Sequence, residues 1–88
     1  MKNPLPPLNW LRAFEIPARH MSVTRAAAEL GVSPSAVSQQ IKQLEDFLQV
    51  RLISRVGNRL ILTDAGHESL PGFTEAFRQL GDTVTIAR

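Results

Sequence analysis

Residues 33–46 read SPSAVSQQIKQLED, and they are the most informative about the fold because they combine a helix start signal with one apolar stripe. Ser33 is a preferred N-cap residue, and Pro34 suits the first helical position, whose backbone N–H has no intrahelical partner. When successive residues are placed 100° apart, the apolar side chains fall within about 40° of Val37. They are Val37, Ile41, Leu44 and Leu48. The sequence therefore predicts a helix over residues 34–48 with one face in a core.

The opposite face of this helix is polar and has no acidic residue in its first two turns. It contains Ser35, Ser38, Gln39 and Lys42. A helix that enters the major groove of DNA needs hydrogen-bonding side chains there and no carboxylate facing the phosphates. Gln39 suits adenine, Lys42 reaches guanine or phosphate, and Ser33 lies at the helix N-terminus, where backbone N–H groups favour phosphate. The alternative is a solvated face without a partner.

The segment before Ser33 predicts a second helix and a tight connection. Ser22 is placed as the N-cap of the sequence VTRAAAEL, and Gly31 is placed as the residue that ends this helix. Only Val32 separates Gly31 from the next cap, so a turn of about three residues joins the two helices. The pair is a helix-turn-helix, and Arg25 near its start is a candidate phosphate contact.

An amphipathic helix is also predicted further towards the N-terminus. Its apolar residues are spaced three or four apart and are Leu8, Leu11, Phe14 and Ala18. Pro17 lies inside this pattern and predicts a kink or an early end near Ile16, because proline removes a backbone donor. Trp10 falls off the stripe and is expected at the rim of the core.

Two short apolar segments, RLISR and RLILT, flank Gly57-Asn58, which is a turn signal between strands. They predict a small two-stranded hairpin that must pack on the helices, because an isolated hairpin is only marginally stable. Arg55 and Arg59 project from this hairpin and suit an adjacent minor groove or its phosphates. The alternative for each arginine is a solvated surface position.

Thr63 is placed to cap a last helix that carries a heptad seam. The seam consists of Leu70, Phe73, Phe77, Leu80, Val84 and Ala87. These residues either pack back on the domain or pair with a second copy. Because the seam extends beyond what a small domain covers, we expect residues Leu70, Phe73, Phe77, Leu80 and Val84 to form a homodimer interface.

The predicted architecture is mainly α. A winged helix-turn-helix over residues 1–63, with a three-helix core and a small two-stranded wing, precedes a long linker and dimerisation helix over residues 64–88. Residues 1–63 carry eight lysines and arginines against four acids, whereas residues 64–88 carry two against four. The net positive charge of residues 1–63 favours a polyanionic partner, although a solubilising surface accounts for it equally well.

Composition excludes several classes of function. With 88 residues and no cysteine, the chain has no disulfide, no thiolate zinc site and no cysteine nucleophile. His20 and His67 lack metal-ligand spacing, so we expect neither metal nor catalysis. The proline-broken N-terminus lacks a secretory apolar region, and no apolar run approaches the roughly 20 residues of a membrane span. A cytoplasmic protein is therefore expected, with a protein-interaction module as the competing function.

From about Leu8 to Phe77, the chain resembles the DNA-binding domain of LysR-type transcriptional regulators. The resemblance lies in three segments, in the order LNWLRAFE, MSVTRAAAELGVSPSAVSQQIKQLEDFLQVRLISR and RLILTDAG. The most specific pieces are AAAELGVSPSAVSQQIKQLE and the motif LTDAG. The double glutamine and the leader LPPLNWLRAFE are most similar to the subgroup of the glycine-cleavage activator.

This resemblance implies a bacterial regulator that dimerises through the linker helix and reads an imperfect inverted repeat in double-stranded DNA near a promoter. It carries base contact over to Pro34, Ser35, Ser38, Gln39 and Lys42, and the wing arginine of the family corresponds to Arg55. It also implies a C-terminal domain, absent from this chain, that binds a small-molecule effector, and a tetramer for the full-length protein. No cofactor is expected in the chain itself.

The sequence departs from the family pattern at several positions. Pro34 stands where a hydrogen-bonding side chain is frequent, and Gln39 where arginine is frequent, which shifts the expected base preference from guanine towards adenine. Gln49 replaces the usual glycine after the recognition helix, so that cap is expected to be strained by about 1 kcal/mol.

Overall fold

The computed structural model describes residues 4–56 and 59–88, so the predicted turn at Gly57-Asn58 lies outside the described residues. The elements are, in chain order, α1 (Leu8–His20), α2 (Val23–Leu30), α3 (Pro34–Leu48), β1 (Ile53–Val56), β2 (Arg59–Leu62) and α4 (Asp64–Ala87). The predicted winged helix-turn-helix and the long helix after it are therefore confirmed. No helix in the described part of the chain combines the length and the apolarity that crossing a membrane requires.

The two helix starts around the turn follow the predicted capping chemistry. Ser22 Oγ accepts a hydrogen bond from the backbone N–H of Arg25, at 3.2 Å, and Ser33 Oγ accepts one from Ala36, at 3.1 Å. Gly31 ends α2 in the left-handed conformation, with φ of 72°. Because glycine adopts this conformation without steric cost, the chain reverses between α2 and α3 within a few residues.

A kink or an early end near Ile16 was predicted at Pro17, and the early end was wrong. α1 continues to His20, and Pro17 is buried within its last turns. The missing N–H removes a single hydrogen bond, and packing of this side of the helix offsets that loss. The helix closes at Met21, which is left-handed with φ of 55°, and the Pro17 carbonyl oxygen accepts from the Ser22 N–H at 3.1 Å.

The core joins α1, α3 and the hairpin, and its largest fully buried side chains include Phe14, Ile41, Leu44 and Leu52. Two members of the predicted stripes lie outside it. Leu8 is 50% exposed and Leu48 is 38% exposed, because each stands at a helix end beyond the reach of its neighbours. Trp10 lies at the rim as expected, and its ring packs edge-to-face against Phe47 with centroids 6.4 Å apart.

The hairpin is antiparallel, and Ile53 lies opposite Leu62 while Arg55 lies opposite Leu60. Because directly opposed residues share a face of a sheet, Ile53, Leu60 and Leu62 point together into the core. All three are buried. The hairpin therefore packs one apolar face against the helices, because a two-stranded hairpin is only marginally stable by itself.

The last helix is capped by Thr63, whose Oγ1 accepts a hydrogen bond from the Gly66 N–H at 3.1 Å. Its first half packs on the domain core through partly buried Leu70, Phe73 and Phe77, and the Phe73 ring lies edge-to-face on Phe14 with centroids 6.0 Å apart. Its second half projects beyond the core. The predicted heptad seam is thus divided between a part that packs on the domain and a part that faces outwards.

Candidate nucleic-acid interface

The candidate recognition surface is the outward face of α3. Ser35, Gln39 and Lys42 are exposed and Ser38 is half-buried, whereas Val37 and Ile41 on the other face are buried. Burial of the apolar stripe fixes the rotation of the helix about its axis, and this rotation directs the four polar side chains outwards together. The face has the length and the chemistry of a helix that enters a major groove.

The N-terminus of α3 contributes Ser33 and Pro34. Ser33 Oγ accepts from the Ala36 N–H and lies 3.2 Å from Ser35 Oγ, so this hydroxyl is already engaged in capping the helix. Pro34 is exposed but has no backbone donor and no polar side-chain atom. The polar contribution of this end is therefore the pair of serine hydroxyls together with the helix dipole.

The wing places its two arginines on opposite faces. Arg55 shares the inward face with Ile53 and Leu60, whereas Arg59 lies opposite Val56 on the outward face. The Arg55 guanidinium crosses to the recognition helix and donates from Nη2 to Ser38 Oγ at 2.6 Å. Sequence reasoning treated these arginines as equivalent, because it could assign each to the hairpin but not to a face.

Glu45 attaches the wing to the recognition helix, and sequence reasoning missed this role. Its Oε2 accepts hydrogen bonds from the backbone N–H groups of Leu52, at 2.8 Å, and Ile53, at 3.1 Å. The Arg51 Nε lies 3.6 Å from the same oxygen. The sequence did contain a signal for this role, because Glu45 is the first acidic residue of α3 and follows two turns without one. Its partners could not be identified, because they lie seven and eight residues further along the chain.

An open groove runs between α3 and β1, with Lys42, Arg51 and Arg55 among the residues that line it. Arg25 is also exposed, in the first turn of α2, where its backbone N–H bonds to Ser22. The cationic side chains predicted to contact phosphate are thus all at the surface. Within residues 4–56 and 59–88, no group of three or more potential ligands could hold a metal ion.

The predicted dimerisation residues divide by exposure. Leu70, Phe73 and Phe77 are half-buried against the core, whereas Leu80 is 49% exposed and Val84 is 51% exposed. Ile86, near the end of α4, is 83% exposed. The outward part of the helix therefore presents apolar side chains without cover from the domain.

Similar proteins match both the sequence and the fold. The chain is 51% identical over 84 residues to the glycine cleavage system transcriptional activator of Escherichia coli strain K12, covering 96% of this chain and 28% of that protein. The chain thus spans little more than a quarter of that relative's length. The solved structure of oxidised OxyR from Corynebacterium glutamicum superposes with a TM-score of 0.89 at 31% identity, over 99% of this chain and 28% of that one.

The DNA-binding domain of BenM, solved in complex with catB site 1 DNA, superposes with a TM-score of 0.83 at 26% identity. That match covers 91% of this chain and 90% of the BenM domain. The sequence model of the bacterial regulatory helix-turn-helix proteins of the lysR family matches residues 8–67, which contain α1, α2, α3, both strands and the start of α4. The chain therefore belongs to the lysR family of bacterial regulatory helix-turn-helix proteins.

Proposed function

We propose that this chain binds double-stranded DNA in a sequence-specific manner, as the DNA-reading part of a bacterial transcriptional regulator. In this proposal α3 enters the major groove, and Ser35, Ser38, Gln39 and Lys42 face the base edges and nearby phosphates. The observation that carries the proposal is the outward polar face of α3, which is acid-free over its first two turns and which burial of Val37 and Ile41 holds in one orientation. The BenM domain with its bound DNA supports it by analogy.

Two exposed cations outside α3 supply affinity rather than selectivity in this proposal. Arg59 on the wing and Arg25 on α2 are exposed and contact phosphates or the adjacent minor groove. Ser33 and the N-terminus of α3 hold a further phosphate, because the positive end of the helix dipole favours an anion. Each phosphate contact releases counterions, so binding weakens as salt rises.

The second part of the proposal is a homodimer that pairs through α4. Leu80 and Val84 lie half-exposed beyond the domain core, at the four-residue spacing of a helical stripe. Pairing two copies of this helix removes both side chains from water and presents two copies of α3 to two half-sites of an imperfect inverted repeat near a promoter. Leu70, Phe73 and Phe77 then support the interface from the side of the core.

The full-length regulator extends the same scheme. We infer a division into the winged helix-turn-helix of residues 1–63, the linker helix of residues 64–88, and a C-terminal domain that binds a small-molecule effector. The length of the curated relative, of which this chain covers 28%, supports that inference. We further infer a cytoplasmic tetramer. We also infer that it has no catalytic activity, and the names of the relatives as transcriptional activators support this second inference.

Selection from a randomised duplex pool, followed by sequencing and a salt titration of the selected duplex, tests the DNA proposal. We expect enrichment of an inverted repeat, and Gln39→Ala should relax selectivity at one base pair by a factor of about 10 or more. Gln79→Ala makes the same change on exposed α4 and should leave the selected sequence unaltered. No binding by the folded chain at low salt contradicts the proposal and favours the protein-interaction alternative.

Sedimentation equilibrium of the chain tests the dimer. Leu80→Asp places a charge at the centre of the proposed interface and should raise the dissociation constant at least tenfold, because an unpaired buried charge opposes association. Gln79→Asp adds the same charge one position away, towards solvent, and should have little effect. Equal dissociation constants for the two variants would place the interface elsewhere.

A further inference from the structure

We propose that Arg55 determines base selectivity indirectly, by orienting the hydroxyl of Ser38 on the recognition helix. This inference rests on the proposed function and assigns a positioning role to a residue whose expected task is phosphate or minor-groove contact. The observation behind it is the hydrogen bond that Arg55 Nη2 donates to Ser38 Oγ at 2.6 Å, between residues 17 positions apart.

The register of the hairpin directs Arg55 towards α3. Its neighbours on the same face, Ile53 and Leu60, are 7% and 6% exposed, so this face is anchored in the core. Alternation along the strand then fixes the direction of the Arg55 side chain. Arg59 carries the same charge on the same wing but lies on the opposite face.

Glu45 holds β1 beside α3, so the contact between Arg55 and Ser38 is built on a fixed frame. The Glu45 carboxylate binds the N–H groups of Leu52 and Ile53 at the start of the strand. Seven residues separate Ser38 from Glu45, which is two turns or about 10 Å along a helix. The strand and the helix are therefore joined at two places, one at each end of their shared groove.

The hydrogen bond changes what Ser38 offers to DNA. A serine hydroxyl has one donor and two acceptor sites, and a free hydroxyl rotates to suit either kind of partner. Because the guanidinium only donates, Ser38 Oγ must accept from Arg55, and its own hydrogen is directed elsewhere. One acceptor site of Ser38 remains, so the bond shifts its preference towards bases that present an acceptor, such as guanine or thymine, and away from cytosine, which presents an amino donor.

The guanidinium keeps other donors for DNA while it holds Ser38. Arginine has five N–H donors in a rigid fork, and the bond to Ser38 uses one of them. Arg55 is exposed, so a phosphate can reach the remaining donors. Arg55 can therefore bind a phosphate and orient Ser38 at the same time. Phosphate binding is measured by the affinity for all duplexes and its salt dependence, whereas orientation of Ser38 is measured by selectivity at one base pair.

A double-mutant cycle on the selected duplex tests the inference. Affinities are measured for the wild-type chain, Ser38→Ala, Arg55→Ala and the double variant, against duplexes that differ at each base pair in turn. We expect Ser38→Ala to reduce selectivity at one base pair by about threefold to tenfold, the worth of one hydrogen bond. Arg55→Ala should reduce selectivity at that same base pair, and the double variant should lose no more than either single variant.

Arg59→Ala is the charge-matched control. It should weaken binding to all duplexes alike and lower the salt slope by about 1, as loss of one phosphate contact does. Selectivity that stays unchanged in Arg55→Ala, or falls additively in the double variant, overturns the inference while leaving the proposed function intact. A wild-type chain that selects no sequence overturns both, and this outcome is distinguished before any variant is compared.

Discussion

The hydroxyl of Thr74 in α4 donates a hydrogen bond of 2.9 Å to the carboxylate of Glu15 in α1, across 59 positions of the sequence. Glu15 is 4% exposed and also forms an ion pair of 2.9 Å with Arg19. The side-chain hydrogen bond from Arg19 to Glu15 raises the pKa of the arginine. The long helix is thus fixed to α1 by a polar contact at its midpoint, in addition to apolar packing.

We expect Thr74→Val to lower the free energy of unfolding by about 1–2 kcal/mol, because it leaves a buried carboxylate with one donor fewer. Thr83→Val is the matched control, since the Thr83 hydroxyl bonds only to a carbonyl of its own exposed helix, that of Gln79 at 2.8 Å. Urea denaturation of both variants measures the difference. Equal losses in the two variants would show that the contact with Glu15 contributes nothing specific.

Gly66 permits the close approach of α4 to the chain before the wing. A Cβ atom at this position would lie 2.2 Å from the carbonyl oxygen of Leu52, which is backbone and cannot rotate away. Gly66→Ala is therefore expected to destabilise the fold by about 1–3 kcal/mol, as other overpacking substitutions do. The motif LTDAG has a glycine at its end for this reason.

Gly72 in the same helix provides the control for Gly66. A Cβ atom there meets nothing within 4 Å. Gly72→Ala should stabilise the chain by about 0.5–1 kcal/mol, because alanine loses less conformational entropy in a helix. The melting temperature should thus fall in Gly66→Ala and rise in Gly72→Ala. A lower melting temperature in both would contradict the explanation by close approach.

Removal of the Glu45 carboxylate, which attaches the wing to α3, should destabilise the wing more than it destabilises the helices. Glu45→Ala leaves the N–H groups of Leu52 and Ile53 without their charged acceptor, and we expect a loss of about 2–3 kcal/mol. Hydrogen exchange measured by NMR should accelerate at these two amides. Asp46→Ala makes a comparable change at an exposed neighbour, and its exchange rates at Leu52 and Ile53 should match those of the wild-type chain.

Glu75, in the middle of α4, offers a prediction about pH. The hydrogen bond from Arg78, a residue that also pairs with Asp82, lowers the pKa of Glu75 from its ordinary value of 4.5. A carboxyl whose pKa is lower in the folded state stabilises the fold above pH 4.5, and this contribution is lost as the pH falls through the folded pKa. Arg78→Gln should return the pKa of Glu75 to its ordinary value, and an NMR titration of Glu75 in this variant measures the change. An unchanged pKa would contradict the assignment of the shift to Arg78.

The local elements of this protein follow from neighbouring residues, and they could be predicted for that reason. Ser22, Ser33 and Thr63 cap helices because each side-chain oxygen reaches an N–H only three residues away. The turn at Gly31 is local in the same way. The outcome at Pro17 was not predictable from local rules, because burial of the surrounding helix decided whether the helix continued.

The sequence alone predicts the order of the helices and strands, the helix-turn-helix, and the polar face of α3, which is acid-free over its first two turns. The packing of whole elements, by contrast, brings Arg55 to Ser38, Glu45 to β1, and Thr74 to Glu15. Each of these pairs joins side chains that are distant in sequence, and their distances depend on the packing of whole elements on the core. Periodicity assigns a residue to a face of its own helix or strand. It carries no information about which side chain of another element lies opposite that face.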